Sequence, residues 1–273
     1  MVFRFLDIVP KEHGAWAMLL VPYFSGAFAK GKPGVPTFLL LVCVISLYFL
    51  RGCGEFYLSN LIKKKEPYQN IKSFYFQTIF CFALFLLTST PLLYYFQLWN
   101  LLVLGLMVFL FISLYYLLIF KKKSYRMSQQ FVVILALTLS APAAYYATTW
   151  KWDANTLILW VLNVIFFQLG MLYVHNRIGL HKKKEQIICF LDKFGFVRNL
   201  IWGWCLSLII FFGLFLSGLI HPLFFIILLP ISVHIIVGIF FDKRDLIIKR
   251  MGYSLVGQNI FFLIILIYLY RIY

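Results

Sequence analysis

Polar residues are confined to short intervals along this chain, and between them run apolar stretches of about 20 residues, the length a helix needs to cross a hydrocarbon core of roughly 30 Å. The pattern predicts membrane-spanning helices near 15–29, 36–58, 73–94, 98–120, 128–148, 156–176, 199–218, 221–240 and 251–271. The expected fold is therefore all-α: a polytopic membrane bundle of about nine transmembrane helices in one integral membrane domain, 1–273. Segment 186–198 is too short and too polar to cross, with Asp192, Lys193 and Arg198 among its phenylalanines and isoleucines, and reads as an interfacial helix.

The intervals between spans are not equivalent. Of the 25 lysines and arginines, all but Lys30, Lys32, Lys151 and Arg271 fall in the amino terminus or in the intervals after spans two, four, six and eight, with Arg51, late in span two, counted with the interval that follows it. Basic residues are retained on the cytoplasmic side, so the expected orientation puts the amino terminus inside and the carboxyl terminus outside. The opposite intervals are short and carry Trp99, Trp150 and Trp152, as hairpins at a membrane interface do.

Composition agrees. At 63% hydrophobic and 12% charged residues, the chain cannot build the polar shell of a soluble domain. The net charge of +16 would suggest nucleic acid in a soluble protein, but here it follows from topology, and no nucleic-acid partner is expected. The cysteines, Cys43, Cys53, Cys81, Cys189 and Cys205, have no paired spacing and read as free thiols. The first apolar run follows Glu12 and His13 and lacks a small-residue cleavage site, so it is expected to stay as a span. A multi-pass protein of the cell membrane, with lipid as its main partner, is the expectation.

Candidate chemistry clusters at the basic ends of the spans. Pro10-Lys11-Glu12-His13-Gly14-Ala15-Trp16 puts a lysine, a carboxylate and an imidazole directly before an apolar run, where charge is costly unless solvated, paired or used. Glu12 and His13 are candidate acid–base groups, although capping and head-group contact would also explain them. Arg51 and Glu55 lie one helical turn apart on one face of span two. They either neutralise each other or offer a guanidinium to a phosphate or carboxylate, and the two roles are compatible. Span six ends in Tyr173-Val174-His175-Asn176-Arg177. The candidate catalytic residues are thus Glu12, His13, Glu55 and His175, and the candidate substrate-binding residues are Lys11, Trp16, Arg51, Asn176 and Arg177. Asn163, Gln168, Gln258 and Asn259, amides within spans, are expected to hydrogen-bond between helices. No histidine, cysteine or carboxylate spacing diagnostic of a metal occurs, so no residue is assigned to a metal and no cofactor is named. Phosphate-loop, nucleophile-elbow and H-E-x-x-H motifs are absent.

The run Pro10 to Met18, followed by Val21-Pro22 and Gly26, resembles the opening signature of the YwiC-like family of bacterial integral membrane proteins. Arg51, the segment ending His175-Asn176-Arg177 and the closing Lys249-Arg250-Met251-Gly252-Tyr253 fit the same likeness. The nine spans, inside amino terminus and motifs after spans two and six are also similar to UbiA-type intramembrane prenyltransferases, which hold a prenyl diphosphate through magnesium on two aspartate-rich motifs. Here those places read Arg51-Gly52-Cys53-Gly54-Glu55 and Tyr173 to Gly179, with one carboxylate in the first and none in the second. The resemblance implies a UbiA-like bundle and a transferase acting on an anionic or isoprenoid lipid at the cytoplasmic face, with magnesium carried over to no residue. The alternatives are a non-catalytic accessory or assembly protein and a small-anion transporter.

Overall fold

A hydrocarbon environment offers the backbone no hydrogen-bond partner, so spanning segments satisfy their own amides as helices. The structure, a computed structural model, describes residues 13–63, 71–121, 126–182, 190–236 and 248–273. The helices are α1 (His13–Ala29), α2 (Val35–Lys63), α3 (Ile71–Tyr94), α4 (Asn100–Lys121), α5 (Arg126–Thr138), α6 (Ser140–Thr149), α7 (Ala154–Lys182) and α8 (Phe190–Leu216). A 3-10 segment (Pro222–Leu228), α9 (Leu229–Ile236) and α10 (Ile248–Ile272) complete the bundle. Among the described residues, seven helical stretches are long and apolar enough to cross a membrane, and Gly14–Ala29 and Pro222–Val233 are two shorter apolar ones. The chain is an all-α, multi-pass membrane protein whose passes follow the spans read from the sequence.

Three passes differ in detail from that reading. The fifth is broken at Leu139 into α5 and α6, because Pro142 has no N–H to give the carbonyl of Thr138 one turn earlier. The eighth begins as a 3-10 segment: Pro222 occupies its first position, and the imidazole Nδ1 of His221 accepts from the amide of Leu223 at 3.3 Å. The predicted remainder of that span, 237–240, lies outside the described residues. The expected interfacial helix is not a separate element over 190–198, which continue without interruption into α8, there being no proline to stop the helix; residues 186–189 lie outside the described residues.

The short hairpins gather at one end of the bundle and hold it closed. Thr37 and Thr148 share a hydroxyl hydrogen bond at 3.1 Å, and the Tyr145 hydroxyl donates to Asp153 at 3.2 Å. Lys30 donates to the carbonyl of Tyr273 and Arg271 to that of Phe28, each at 3.4 Å. His221 stacks on Tyr273 with ring centroids 3.8 Å apart. The opposite end, called the basic end below, carries the termini of α2, α4 and α7 at Lys63, Lys121 and Lys182.

Helix α1 is the central post, packed against α5, α6, α7 and α10. Helices associate in lipid by close packing and interhelical hydrogen bonds, for which small residues are needed. Gly26 supplies the closest approach: a Cβ there would lie 2.0 Å from the carbonyl oxygen of Ala141 on α6. Ser140 donates to the carbonyl of Leu19 at 3.0 Å, and Asn163 of α7 donates to Ser25 at 3.0 Å. Asn163 thus does the interhelical work expected of it, whereas the side-chain oxygens of Gln168 and Gln258 have no hydrogen-bond partner.

Apolar packing divides around this post. On one side α7, α8, the 3-10 segment, α9 and α10 enclose a filled core in which Phe166 stacks on Phe262 at 3.9 Å. On the other, α2, α3, α4 and α6 surround Leu40, Cys43, Leu92, Leu104 and Ala144. Gly26→Ala is expected to force α1 away from α6 at a cost of about 1–3 kcal/mol, read as a lowered thermal midpoint in detergent. Gly213→Ala, at a position where a Cβ meets nothing within 4 Å, should leave that midpoint unchanged or slightly raised.

Candidate functional site

Between the central post and the α2–α3 and α4–α5 hairpins lies a cavity of about 710 Å³, within the 300–1,000 Å³ usual for small-molecule sites. Its wall is made by residues of α1 to α6 and by Leu139 and is almost wholly aliphatic and aromatic: Leu40, Val44 and Leu47 of α2, Phe85 and Leu92 of α3, Phe111 of α4. The charged side chain in that wall is Arg51, at the basic end, with Tyr48 and Tyr115 beside it. An arginine over an apolar chamber separates the site chemically into a head position and a tail position.

Local sequence holds the arginine there. Arg51 and Glu55 fall on one face of α2, and the guanidinium donates through Nε at 2.9 Å and Nη2 at 2.6 Å, both to Oε1 of Glu55. The ring of Tyr115 lies 5.1 Å from the guanidinium carbon, adding a cation–π contact. Between the pair sits Gly54, where a Cβ would lie 2.8 Å from the Tyr116 hydroxyl, so the glycine lets α4 bring its tyrosines over the ion pair. The side chains of Arg51 and Glu55 are 17% and 35% exposed, a gradient that leaves the arginine deeper and the carboxylate nearer the basic end. Trp16 of α1 packs edge-on against Tyr48 at 5.2 Å and Phe49 at 5.7 Å, one turn from Arg51 on the same helix.

The structure therefore brings Trp16, Arg51 and Glu55 to one end of the cavity. Helix α1 begins at His13, one turn before Trp16. Lys11 and Glu12 lie outside the described residues, as does the side chain of His13. Helix α7 carries His175, exposed, Asn176, buried, and Arg177, half-buried, near the same end, but it contributes nothing to the cavity wall. The side-chain nitrogen of Asn176 has no hydrogen-bond partner. Among the described residues, no three histidine, cysteine or acidic side chains converge as metal ligands.

Tyr48, Tyr115 and Tyr116 were not singled out by sequence reasoning, because tyrosines abound in membrane helices and mark interfaces and packing alike. The one available signal was the Tyr115-Tyr116 pair, which like Arg51 lies toward the basic end of its span. The cavity itself left no signal, since its walls are the same aliphatic residues that face lipid elsewhere.

Comparison with known proteins gives the chain relatives but no reaction. The family model described as YwiC-like protein matches residues 9–145. A Bacillus subtilis (strain 168) protein, named Uncharacterized protein YwiC, is 33% identical over 86 residues, which are 31% of this chain and 34% of that protein. The match thus spans about a third of the length of this curated relative. No solved structure matches the chain. Every residue lining the cavity, from Leu19 to Ala143, falls within the matched segment.

The ion pair makes a stability prediction. Replacing Glu55 by leucine strands the Arg51 charge beside an apolar chamber and should destabilise the protein by on the order of 2 kcal/mol, less than the 3–5 kcal/mol of a fully buried pair. The double variant Arg51→Leu with Glu55→Leu, having no charge to strand, should recover most of that loss in thermal unfolding.

Proposed function

The chain belongs to the YwiC-like family, and we propose that it is a UbiA-like intramembrane enzyme of the transferase type. Its substrate is an anionic lipid, with an isoprenoid the foremost class, taken at the cytoplasmic face of the cell membrane. One observation carries this reading: an apolar chamber of about 710 Å³ with a single arginine set at one end of its wall. The arrangement suits an amphiphile whose chain fills the chamber and whose phosphate or carboxylate meets Arg51.

In this reading Glu55 holds the arginine in place until the substrate arrives. An anionic head competes for the guanidinium, whose fork suits two oxygens at once. As the anion takes over Nε and Nη2, Glu55 loses its partner and becomes available to accept a proton. Trp16, against Tyr48 and Phe49, shapes the mouth beside the head. In sequence the run Lys11-Glu12-His13 leads directly into α1, and in this reading Lys11 serves the anion while Glu12 and His13 serve proton transfer. His175, Asn176 and Arg177 stand on α7 near the same end as candidates for proton transfer and for a second anionic group. With one carboxylate at Glu55 and none between Tyr173 and Gly179, the reading assigns no magnesium ligand.

The test is the lipid that remains with the purified protein. Wild-type protein, extracted gently and analysed by mass spectrometry, should carry an anionic lipid enriched over the bulk membrane. Arg51→Gln should hold at least tenfold less of it, the equivalent of one charge-assisted hydrogen bond of about 1.5–3 kcal/mol. Copurified lipid indistinguishable from the bulk in both proteins would sink the reading.

A further inference from the structure

The cavity has a side as well as an end. Helix α2 packs along α3, and α4 along α5, but no extensive interface joins α3 to α4, although the two are consecutive. They meet at the hairpin turn, where the amide of Leu98 donates to the carbonyl of Leu92 at 3.1 Å. On α4 the cavity wall includes Leu102, Leu106 and Phe109, and these side chains are 53%, 59% and 65% exposed, whereas Leu40, Leu104 and Val132 of the same wall are buried. A residue can both line a chamber and face outward only at a rim. Gly105 lies in the same rim, exposed, and a Cβ built on it meets nothing within 4 Å. On the facing edge α3 contributes Ser89 and Leu93 to the wall.

Resting on the reading of the chamber as the seat of an anionic amphiphile, we propose that the cavity is loaded sideways from the bilayer through a doorway between α3 and α4. Gly105 is the residue that keeps this doorway wide. The occupant is a single membrane lipid with one apolar chain and an anionic head. Charge complementarity fixes the head at Arg51. Depth fixes the tail: from Arg51 to Leu40 along α2, both in the wall, is about 16 Å at 1.5 Å per residue. That is close to half of a hydrocarbon core of about 30 Å, the chain length of one leaflet. An amphiphile can therefore lie in the chamber with its head at Arg51 and its chain along α2 toward Leu40. A water-soluble anion would have no use for the aliphatic wall or for an opening toward lipid.

The experiment uses the full chain reconstituted in phosphatidylcholine vesicles containing either hexadecyl phosphate or geranylgeranyl phosphate, followed by native mass spectrometry to count bound copies. Wild-type protein should hold one copy. Gly105→Phe should hold at least tenfold less, since a Cβ there meets nothing within 4 Å and the ring beyond it would occupy the opening. Ser89→Trp, on the opposite edge, should act in the same direction. Gly213→Phe, equally free of neighbours but outside the cavity wall, should bind as wild type does. Binding of both phosphates supports the doorway and makes the chain alone the determinant; binding of the prenyl phosphate alone supports it and names the tail as isoprenoid. Wild-type binding by both Gly105→Phe and Ser89→Trp overturns the doorway. If Arg51→Gln nevertheless loses the lipid, the chamber keeps its assignment and only the route falls. Retention by Arg51→Gln as well removes the chamber's assignment too, and so does failure of wild-type protein to hold either phosphate.

Discussion

The approach of Gly26 to the backbone of Ala141 decides how the rest of the bundle is arranged. In lipid, helices gain little from hiding apolar surface and associate where their backbones can come close. The glycine permits that contact, and the hydrogen bonds from Ser140 to the Leu19 carbonyl and from Asn163 to Ser25 fix its register. With α1 pinned between α6 and α7, the remaining helices sort to its two sides. Those after α6 close on one another around Phe166 and Phe262. Those before it form two hairpins that lean on the post and leave space between them.

The hollow half is where the costly residue sits. An arginine inside an apolar span is tolerated only when paired, solvated or used. Arg51 has the first of these in Glu55 and the tyrosine face of Tyr115, and it stands on the cavity wall. A merely structural ion pair could face the lysine-rich loops at the end of α2 and stay wet at no cost. That this one is set about two turns or more inside the helix, with the deeper partner being the cation, is the feature a packing account leaves over.

Much of this architecture was legible from residues. The spans followed from the length of apolar runs, and the Arg51–Glu55 pair from its one-turn spacing. The role of Asn163 followed from the cost of an amide in lipid. What hydropathy could not encode was which apolar face meets another helix and which meets lipid, because in a membrane both are aliphatic. For that reason the chamber was invisible, and α2 looked no different from the closely packed α7. The break at Leu139 was not read from the sequence, in which 128–148 forms one span although Pro142 stands within it, because prolines are tolerated in membrane helices. The interfacial helix expected over 186–198 is, over its described part 190–198, the opening of α8, for a related reason. Polarity interspersed with phenylalanine distinguishes a helix in the interface from one crossing it, but not a separate helix from the opening turns of α8.

The segment matched by the family model ends at residue 145, just past the last residue of the cavity wall, Ala143. It holds the post, its contact with α6, the ion pair and both rims of the opening, while the filled half from α7 onward lies beyond it. Gly105, Ala136 and Ala143 are small residues of the wall, and larger side chains there would take up part of the space. At Gly105 a Cβ meets nothing within 4 Å, so the rim carries no packing contact there. The space is thus bounded by small residues as well as large ones, and under the function proposed above it is the room that the apolar chain of the substrate would take.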